Sequence, residues 1–484
     1  LKQTTKMKKL LLILLCLPMI GFGQGWKLLL DHPYYDTDEK AYSFVEDNDG
    51  YLILATKTGY PYPNLSDIWL VKVDFNGDTI YTKSIDITNN DIGYSIKKTT
   101  DGGYIIGATV ESQFITGGVS FNESFCLIKL NSFGDTSWVK YYNYPFTSTP
   151  SNSTIDICYS VIQTSDGGYM MTGKGGIPPV GSSGPLLIKT DQYGDIIWSK
   201  LYDDEYMNGI SDLGLPSSDY YTGTSIIETT DSNFVMLVTG KGGGNPISAL
   251  VKINSIGDTL WVKSFPYYSN PISSKIVNTG DGGYVLSGEK YNVFTGDFEL
   301  YYFKTNFNGD IIWEEYHFNG MSNYNNFNTQ YDNFNLNSPH KTIDDGFIFC
   351  SSDYEITFPS DSRLCWNILK TDSSGNVIFS NKITLPNPVY QQNEPVCIKQ
   401  TSDEGYLMLG SNRAIPPDFD TDLLIIKIDS LGNVTNTIEI PISSGQRKLV
   451  KVTNPLGQEI PYRRNTPLFY IYDNGTVEKR IIIE

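Results

Sequence analysis

The chain has 484 residues, 40% of them hydrophobic and 13% aromatic, enough to bury a large core. Its 54 acidic against 36 basic residues give a formal charge of −18, which argues against a nucleic-acid partner because phosphate binding needs a basic surface. Neutral or cationic partners are favoured, and the Tyr and Asn content suits neutral glycans. The first element is a signal peptide over residues 1–23. Lys8 and Lys9 precede the apolar run LLLILLCLPMI (10–20), and Gly21-Phe22-Gly23 offers a cleavage point before Gln24. Eleven apolar residues are too few to span a bilayer, which takes about 20, and no later segment reaches that length, so no transmembrane segment is expected. Leu15 stands before Cys16 where a lipoprotein signal needs a small residue.

From residue 24 to 445 the chain repeats. KTDQYGDIIWSK (189–200) has six relatives, whose glycines fall at 77, 134, 257, 309, 375 and 432 beside Gly194. Lysine stands five before each glycine (Lys72, Lys129, Lys189, Lys252, Lys304, Lys370, Lys427). Asp or Asn stands three before it and directly after it, and an aromatic follows four later in six copies. A second motif alternates with the first, as in TTDGGYIIGA (99–108) and TSDGGYMMTG (164–173). A period of 52 to 66 residues indicates a solenoid, propeller or array. Each unit holds four short runs rich in β-branched or aromatic residues and bounded by Gly, Asp, Asn or Pro. In the third they are CYSVIQT, GYMMTG, PLLIKT and DIIWSKLY. Seven units of four antiparallel strands give the expected class: all-β, a seven-bladed β-propeller.

Turn chemistry supports this. DGG joins the first two strands of a unit, and Asp-x-x-Gly-Asp joins the last two, with Asp or Asn capping and Gly supplying positive φ. In the third unit Asp191 caps, Gly194 turns, and Trp198 is expected to dock on the neighbouring blade. This hairpin resembles that of quinoprotein-type propellers, and it is similar to the Asp-box hairpins of sialidase propellers. The seventh copy has Asn436 in the aromatic slot, whereas GWKLLL (25–30) near the N-terminus matches the outer-strand pattern with Trp26 in that slot. A propeller with an unpaired edge is prone to aggregate. Residues 25–31 are therefore expected to supply the outer strand of the last blade.

Residues 446–484 read differently. The tail from Arg447 carries seven basic and four acidic residues, and LVKVTN followed by LFYIY-DNG-TVEKRIII predicts three strands with a tight hairpin. It resembles the C-terminal sorting domain recognised by type IX secretion in Gram-negative bacteria, through Asn454, Leu456 and Gly457 of the NPLGQE turn and Gly475 and Lys479 of the hairpin. The resemblance implies export past the outer membrane, with the secretion machinery as partner and the mature protein on the cell surface or released.

The candidate sites fall on loops. The two tight turns of each unit share one face, and all length variation falls on the other, where function usually collects. Tyr60, Tyr62, Tyr220, Tyr221, Tyr267, Tyr268, Tyr324 and Tyr331 lie in those variable stretches, including 203–223 and 318–339, as candidates for stacking on a glycan or peptide. Asp418, Asp420 and Asp422 are a candidate Ca2+ cluster, although the distal Glu of a full calcium loop is missing. No other cofactor is expected. GYMMTGKG (168–175) lacks the Ser or Thr of a P-loop. His32, His317 and His340 are isolated and read as surface residues, and the repeated lysines as stems covering apolar blade surface. Five cysteines remain after the signal, and Cys350 and Cys365 either bridge or stay as buried thiols. No catalytic residue is assigned. The expected function is a monomeric exported module binding glycan, peptide or matrix. A polysaccharide lyase or hydrolase, and a structural surface protein, are the alternatives.

Overall fold

The computed structural model describes the chain except residues 1–24, 31–37, 60–64, 114–120, 143–155, 178–181, 203–212, 214, 216–217, 243–244, 266–274, 293–296, 323–338, 358–360, 385–394, 414–420, 435–448, 454–467, 473–476 and 481–484. Strand β1 (Trp26–Leu30) is followed by six blades in chain order, each numbered from its innermost strand outward. Blade one is β2–β5 (Glu39–Asp47, Gly50–Gly59, Leu65–Val73, Thr79–Ile85). Blade two is β6–β9 (Asp91–Lys98, Tyr104–Gln113, Phe121–Leu130, Thr136–Tyr142), and blade three is β10–β13 (Ile157–Gln163, Tyr169–Ile177, Ser182–Thr190, Ile196–Leu201). Blade four is β14–β17 (Ser218–Glu228, Phe234–Gly242, Asn245–Ile253, Thr259–Phe265), and blade five is β18–β21 (Val277–Asn278, Tyr284–Asn292, Asp297–Thr305, Ile311–Ser322). Blade six is β22–β25 (His340–Lys341, Phe347–Thr357, Asp361–Thr371, Val377–Thr384).

Blade seven joins the two ends of the ring. Its inner three strands are β26–β28 (Pro395–Gln400, Tyr406–Arg413, Thr421–Ile428), and β1 is the fourth. The register sets Trp26 opposite Lys427, as Trp198 stands opposite Lys189 in blade three. All seven blades are four-stranded antiparallel sheets, so the molecule is a seven-bladed β-propeller. The tail contains β29–β31 (Leu449–Thr453, Leu468–Tyr472, Val477–Arg480), a separate three-stranded sheet. Among the described residues no helix is long and apolar enough to cross a membrane.

The core is not one mass. Seven apolar clusters each lie between two neighbouring blades. Leu52, Leu54 and Leu70 of blade one, for example, meet Ile106, Cys126 and Ile128 of blade two. The middle strands are covered on both faces by the adjoining blades. This explains why they read as unbroken apolar runs such as LILA or IIGA instead of alternating. Each blade therefore depends on contact with its two neighbours.

Two locks repeat around the ring. In the first, the outer-strand aromatic of one blade lies on the turn glycine of the next. The pairs are Trp26 on Gly77, Tyr81 on Gly134, Trp138 on Gly194, Trp198 on Gly257, Trp261 on Gly309, Trp313 on Gly375 and Phe379 on Gly432. A Cβ on any of these glycines would come within 2.6–3.1 Å of that aromatic side chain. Trp26 and Trp198 also donate their indole N–H at 2.9 Å to the carbonyls of Phe75 and Ser255 in the same neighbouring turns. Within the turn of blade three, Asp191 Oδ1 accepts from the N–H groups of Tyr193 and Asp195 at 2.8 and 2.9 Å, which is the capping role its position predicts.

The second lock ties the two sequence motifs together. Each repeated lysine reaches the turn between the first two strands of its own blade and pairs with an aspartate there, at 2.6–2.9 Å in all seven blades. The ammonium of Lys189 also donates to the Thr190 carbonyl at 3.0 Å. These lysines, buried in six blades and half-buried at Lys304, are thus ion-pair partners as well as cover for apolar surface. Partial burial pushes the turn carboxyls up, but the lysine, a Thr hydroxyl and a glycine N–H outweigh it and bring Asp101, Asp166 and Asp281 down to about 2. A folded pKa below the unfolded value of about 3.9 means stability that is complete above that pH and lost as pH falls toward 2. Tryptophan fluorescence is expected to report cooperative unfolding in that window, and a structure unchanged down to pH 2 would contradict the assignment.

The structure decides one open alternative and corrects one expectation. Cys350 stands opposite Ile368 and Cys365 opposite Asp353, so the strands hold the two three registers apart. Both are buried free thiols. The stretch expected as a loop over 203–223 ends in strand, because β14 begins at Ser218. Tyr221 is 1% exposed, packed with Tyr202, Leu213 and Leu215 between blades three and four, so its ring belongs to the core. Its aromatic and β-branched neighbours, DYYTGTSII, carry the strand on.

Candidate functional site

The innermost strands define the axis. In five blades this strand has an irregularity at the same place, leaving Tyr42, Tyr94, Tyr159, Thr224 and Val396 as the extra residues. The three tyrosines meet edge to face along blades one to three, with ring centroids 5.1 Å apart in both the Tyr42–Tyr94 and the Tyr94–Tyr159 pair.

Beyond the irregularity, toward the DGG turns, one register position repeats in every blade. It is occupied by Val45, Lys97, Ile162, Ile227, Val277, His340 and Lys399, each opposite an apolar residue of the second strand. Four blades place an aliphatic side chain there, and three place a cation or an imidazole. Lys275 lies two residues before Val277, on the same side of its strand. Lys97, Lys275, His340 and Lys399 come from blades two, five, six and seven, yet they act on one another electrostatically. Side chains from opposite sides of a seven-membered ring are neighbours only at its axis.

The four groups are enclosed by the blades but retain some exposure, which is the condition of a narrow channel wall. That enclosure, then Lys97 and Lys275, hold the Lys399 ammonium down to about 7, against a contrary pull from Cys397. Enclosure and then Lys275 lower Lys97 in the same direction. His340 falls to about 3 through enclosure, Lys399 and Lys97. Lys399 donates to the Phe44 carbonyl and lies 4.5 Å from the centre of the Phe44 ring. At His340 a hydrogen bond to the backbone of Lys341 pulls the other way and does not offset enclosure and the two ammonium groups. His340 is therefore an axial residue rather than a surface one, while His317 lies on the outer strand of blade five and meets Ser380 Oγ at 3.0 Å.

The sequence carried a signal for this cluster that composition hides. AYSF (41–44), GYSI (93–96), CYSV (158–161) and GTSI (223–226) form a third repeat, in which the residue that follows directly should be aliphatic. Lysine at 97 and 399 and histidine at 340 break that rule. Lys275 takes the serine position of the same motif in SKI (274–276).

The residues expected on the variable face are brought together only in part. Tyr60, Tyr62, Tyr267, Tyr268, Tyr324, Tyr331, Asp418 and Asp420 lie outside the described residues. Tyr220 is in β14 beside the buried Tyr221, and Asp422 is buried in β28 opposite Asn412. Among the described residues no group of three or more His, Cys, Asp or Glu is placed to hold a metal ion. Asn454, Leu456, Gly457 and Gly475 are likewise outside the described residues, and Lys479 is in β31.

No family model matches the chain, and no curated protein matches it. Solved structures similar to it include an α-L-arabinanase of Penicillium chrysogenum complexed with arabinobiose, at 9% identity over 69% of this chain and 92% of that one, TM-score 0.39. Another is the β-propeller domain of the Trilobed protease from Pyrococcus furiosus, at 10% identity over 83% and 98%, TM-score 0.40. A third is a xylan β-1,4-xylosidase from Bacillus halodurans, at 11% identity over 83% and 97%, TM-score 0.30. At such identities and scores neither ligand nor reaction carries over, and the propeller stands on its own strand pairing.

Proposed function

We propose that the chain is an exported β-propeller that binds a glycan, peptide or matrix ligand on the face opposite its tight turns, at the cell surface or after release. One observation carries the reading. On the tight-turn face every blade commits its lysine, its aspartate and its turn glycine to the same two locks, so that face is built for closure. The freedom to vary in length and in aromatic content is confined to the other face, where recognition can be added without disturbing the ring. The signal peptide and the sorting-type tail, with its three strands, support export.

The test uses residues 24–445 on glycan and peptide arrays. Saturable binding that disappears when the 203–212 and 323–338 connections are shortened is the expected result. Silence on the arrays together with turnover of a polysaccharide would overturn the binding reading in favour of an enzyme. Export is tested separately in a Gram-negative host with type IX secretion. The full chain should reach the exterior and a chain lacking 447–484 should remain in the periplasm.

A further inference from the structure

We infer that the outer edge of blade one is the docking seat of the chain's own C-terminal sheet, held there by charge. The inference concerns where the tail lies on the propeller, and it holds whether or not the tail directs export or the variable face binds a ligand. Its first observation is a contact. β31, the edge strand of the three-stranded tail sheet, lies against β5, the edge strand of blade one. The two do not share a ladder, since among the described residues β31 pairs with β30 and β5 with β4. Two edges that meet without a common ladder are held by side chains and their charges.

The second observation is a gap in the repeat. In blades two to five the acid after the turn glycine is paired with a lysine from the outer strand of the preceding blade, as Asp135 is with Lys83 at 2.5 Å and Asp310 with Lys263 at 2.7 Å. Blades six and seven have no acid there, only Asn376 and Asn433. Blade one alone keeps the acid and lacks the lysine. Its acid is Asp78, and the strand that should supply the cation is β1, where the corresponding residue is the buried Leu28. Asp78 is exposed directly before β5 and forms no ion pair among the described residues.

The far end of β5 repeats the feature. Ile68 and Ile85 form the last pair of the β4–β5 ladder, so Asp67 and Asp86 stand one step beyond it. Burial pushes the Asp67 carboxyl up, Lys57 at 3.7 Å pulls it back, and Asp86 adds to the rise. Asp86 itself is exposed and forms no ion pair among the described residues. Lys83, the one cation within β5, is drawn away to blade two, where it also donates to the Phe133 carbonyl at 2.6 Å. A strand bracketed by two unpaired carboxylates calls for a basic partner. The tail is the basic segment of this chain. From Arg447 its seven basic and four acidic residues give +3, which leaves −21 for the rest, and β31 carries Lys479 and Arg480. Blade seven, from which the tail departs, is the neighbour of blade one, so the seat is within reach. A chain that loses the tail leaves β5 open to another basic strand.

Amide hydrogen exchange of the full chain, read by mass spectrometry, tests the seat, with the equivalent outer strands β9 and β17 as internal references. Lys479→Glu/Arg480→Glu should speed exchange over 79–85 by roughly fivefold, the size expected of two exposed ion pairs, and leave both references unchanged. Asp78→Lys/Asp86→Lys should do the same from the other side. Either change also alters its own surface, so the four substitutions are then combined, and reversal of charge on both sides should restore the slow exchange. Raising NaCl to about 0.5 M should speed 79–85 in the wild type, because salt screens the pairs. The seat is refuted if neither double variant moves 79–85, or if the combined variant exchanges as fast as they do. Protection of 79–85 that grows with protein concentration would overturn it in favour of the tail of a second copy.

Discussion

Deleting residues 26–30 is expected to destabilise the propeller by roughly 4.5–9 kcal/mol, taking about 1.5–3 kcal/mol for each of the buried side chains of Trp26, Leu28 and Leu30. Against a total stability of about 5–15 kcal/mol for a folded protein, that is a large share. The loss goes beyond burial. β1 hydrogen-bonds along β28, and its removal leaves residues 423–427 as an uncovered apolar edge, which invites pairing between molecules. It also removes the aromatic that rests on Gly77, so the interface between blades seven and one loses both its strand and its lock. Urea unfolding should show the fall in midpoint, and light scattering the association. Trp26→Ala alone should cost about 3 kcal/mol. A fragment without β1 that unfolds at the same urea concentration as the full chain would show that the ring does not need this closure.

Gly194→Ala is expected to cost about 3 kcal/mol, and Gly167→Ala in the same blade only about 1 kcal/mol, although both glycines have positive φ, +80° and +86°. The backbone strain is common to the two. The difference is space. A Cβ at 194 would sit 3.0 Å from Trp138 and from Lys140, whereas at 167 nothing lies within 4 Å. The molecule has already tried the milder change. The position of Gly167 is taken by Ser232, Asp345 and Glu404 in blades four, six and seven, each at positive φ, while the position of Gly194 is glycine in all seven blades. Equal losses for the two alanine variants in chemical denaturation would contradict the lock between aromatic and glycine.

The repeat made the blades legible because a hairpin is a local event. A glycine at positive φ, an Asx cap and two apolar runs lie within a dozen residues of one another, and seven copies remove the ambiguity of any single one. The closing strand was legible for the same reason, since Trp26 satisfies a slot that residue 436 leaves without an aromatic. The pairing of the two motifs was not. The lysine and the aspartate it meets are more than twenty residues apart, 189 and 166 in blade three, and their spacing says nothing of contact. Reading Tyr221 as a loop residue failed because a polar, tyrosine-rich stretch looks alike whether its rings face solvent or the next blade.

The sequence by itself determined the blade count, the turn chemistry, the strand that closes the ring and the charge of the whole. Each depends on neighbours along the chain or on a pattern repeated at fixed distance. Only the tertiary structure decided that Lys97, Lys275, His340 and Lys399 are neighbours, because a circular array brings its innermost strands to a common axis from positions as far apart as 97 and 399. A net charge of −18 describes the surface as a sum. It says nothing of which charges meet at the axis, because proximity there comes from closure of the ring and not from order in the chain.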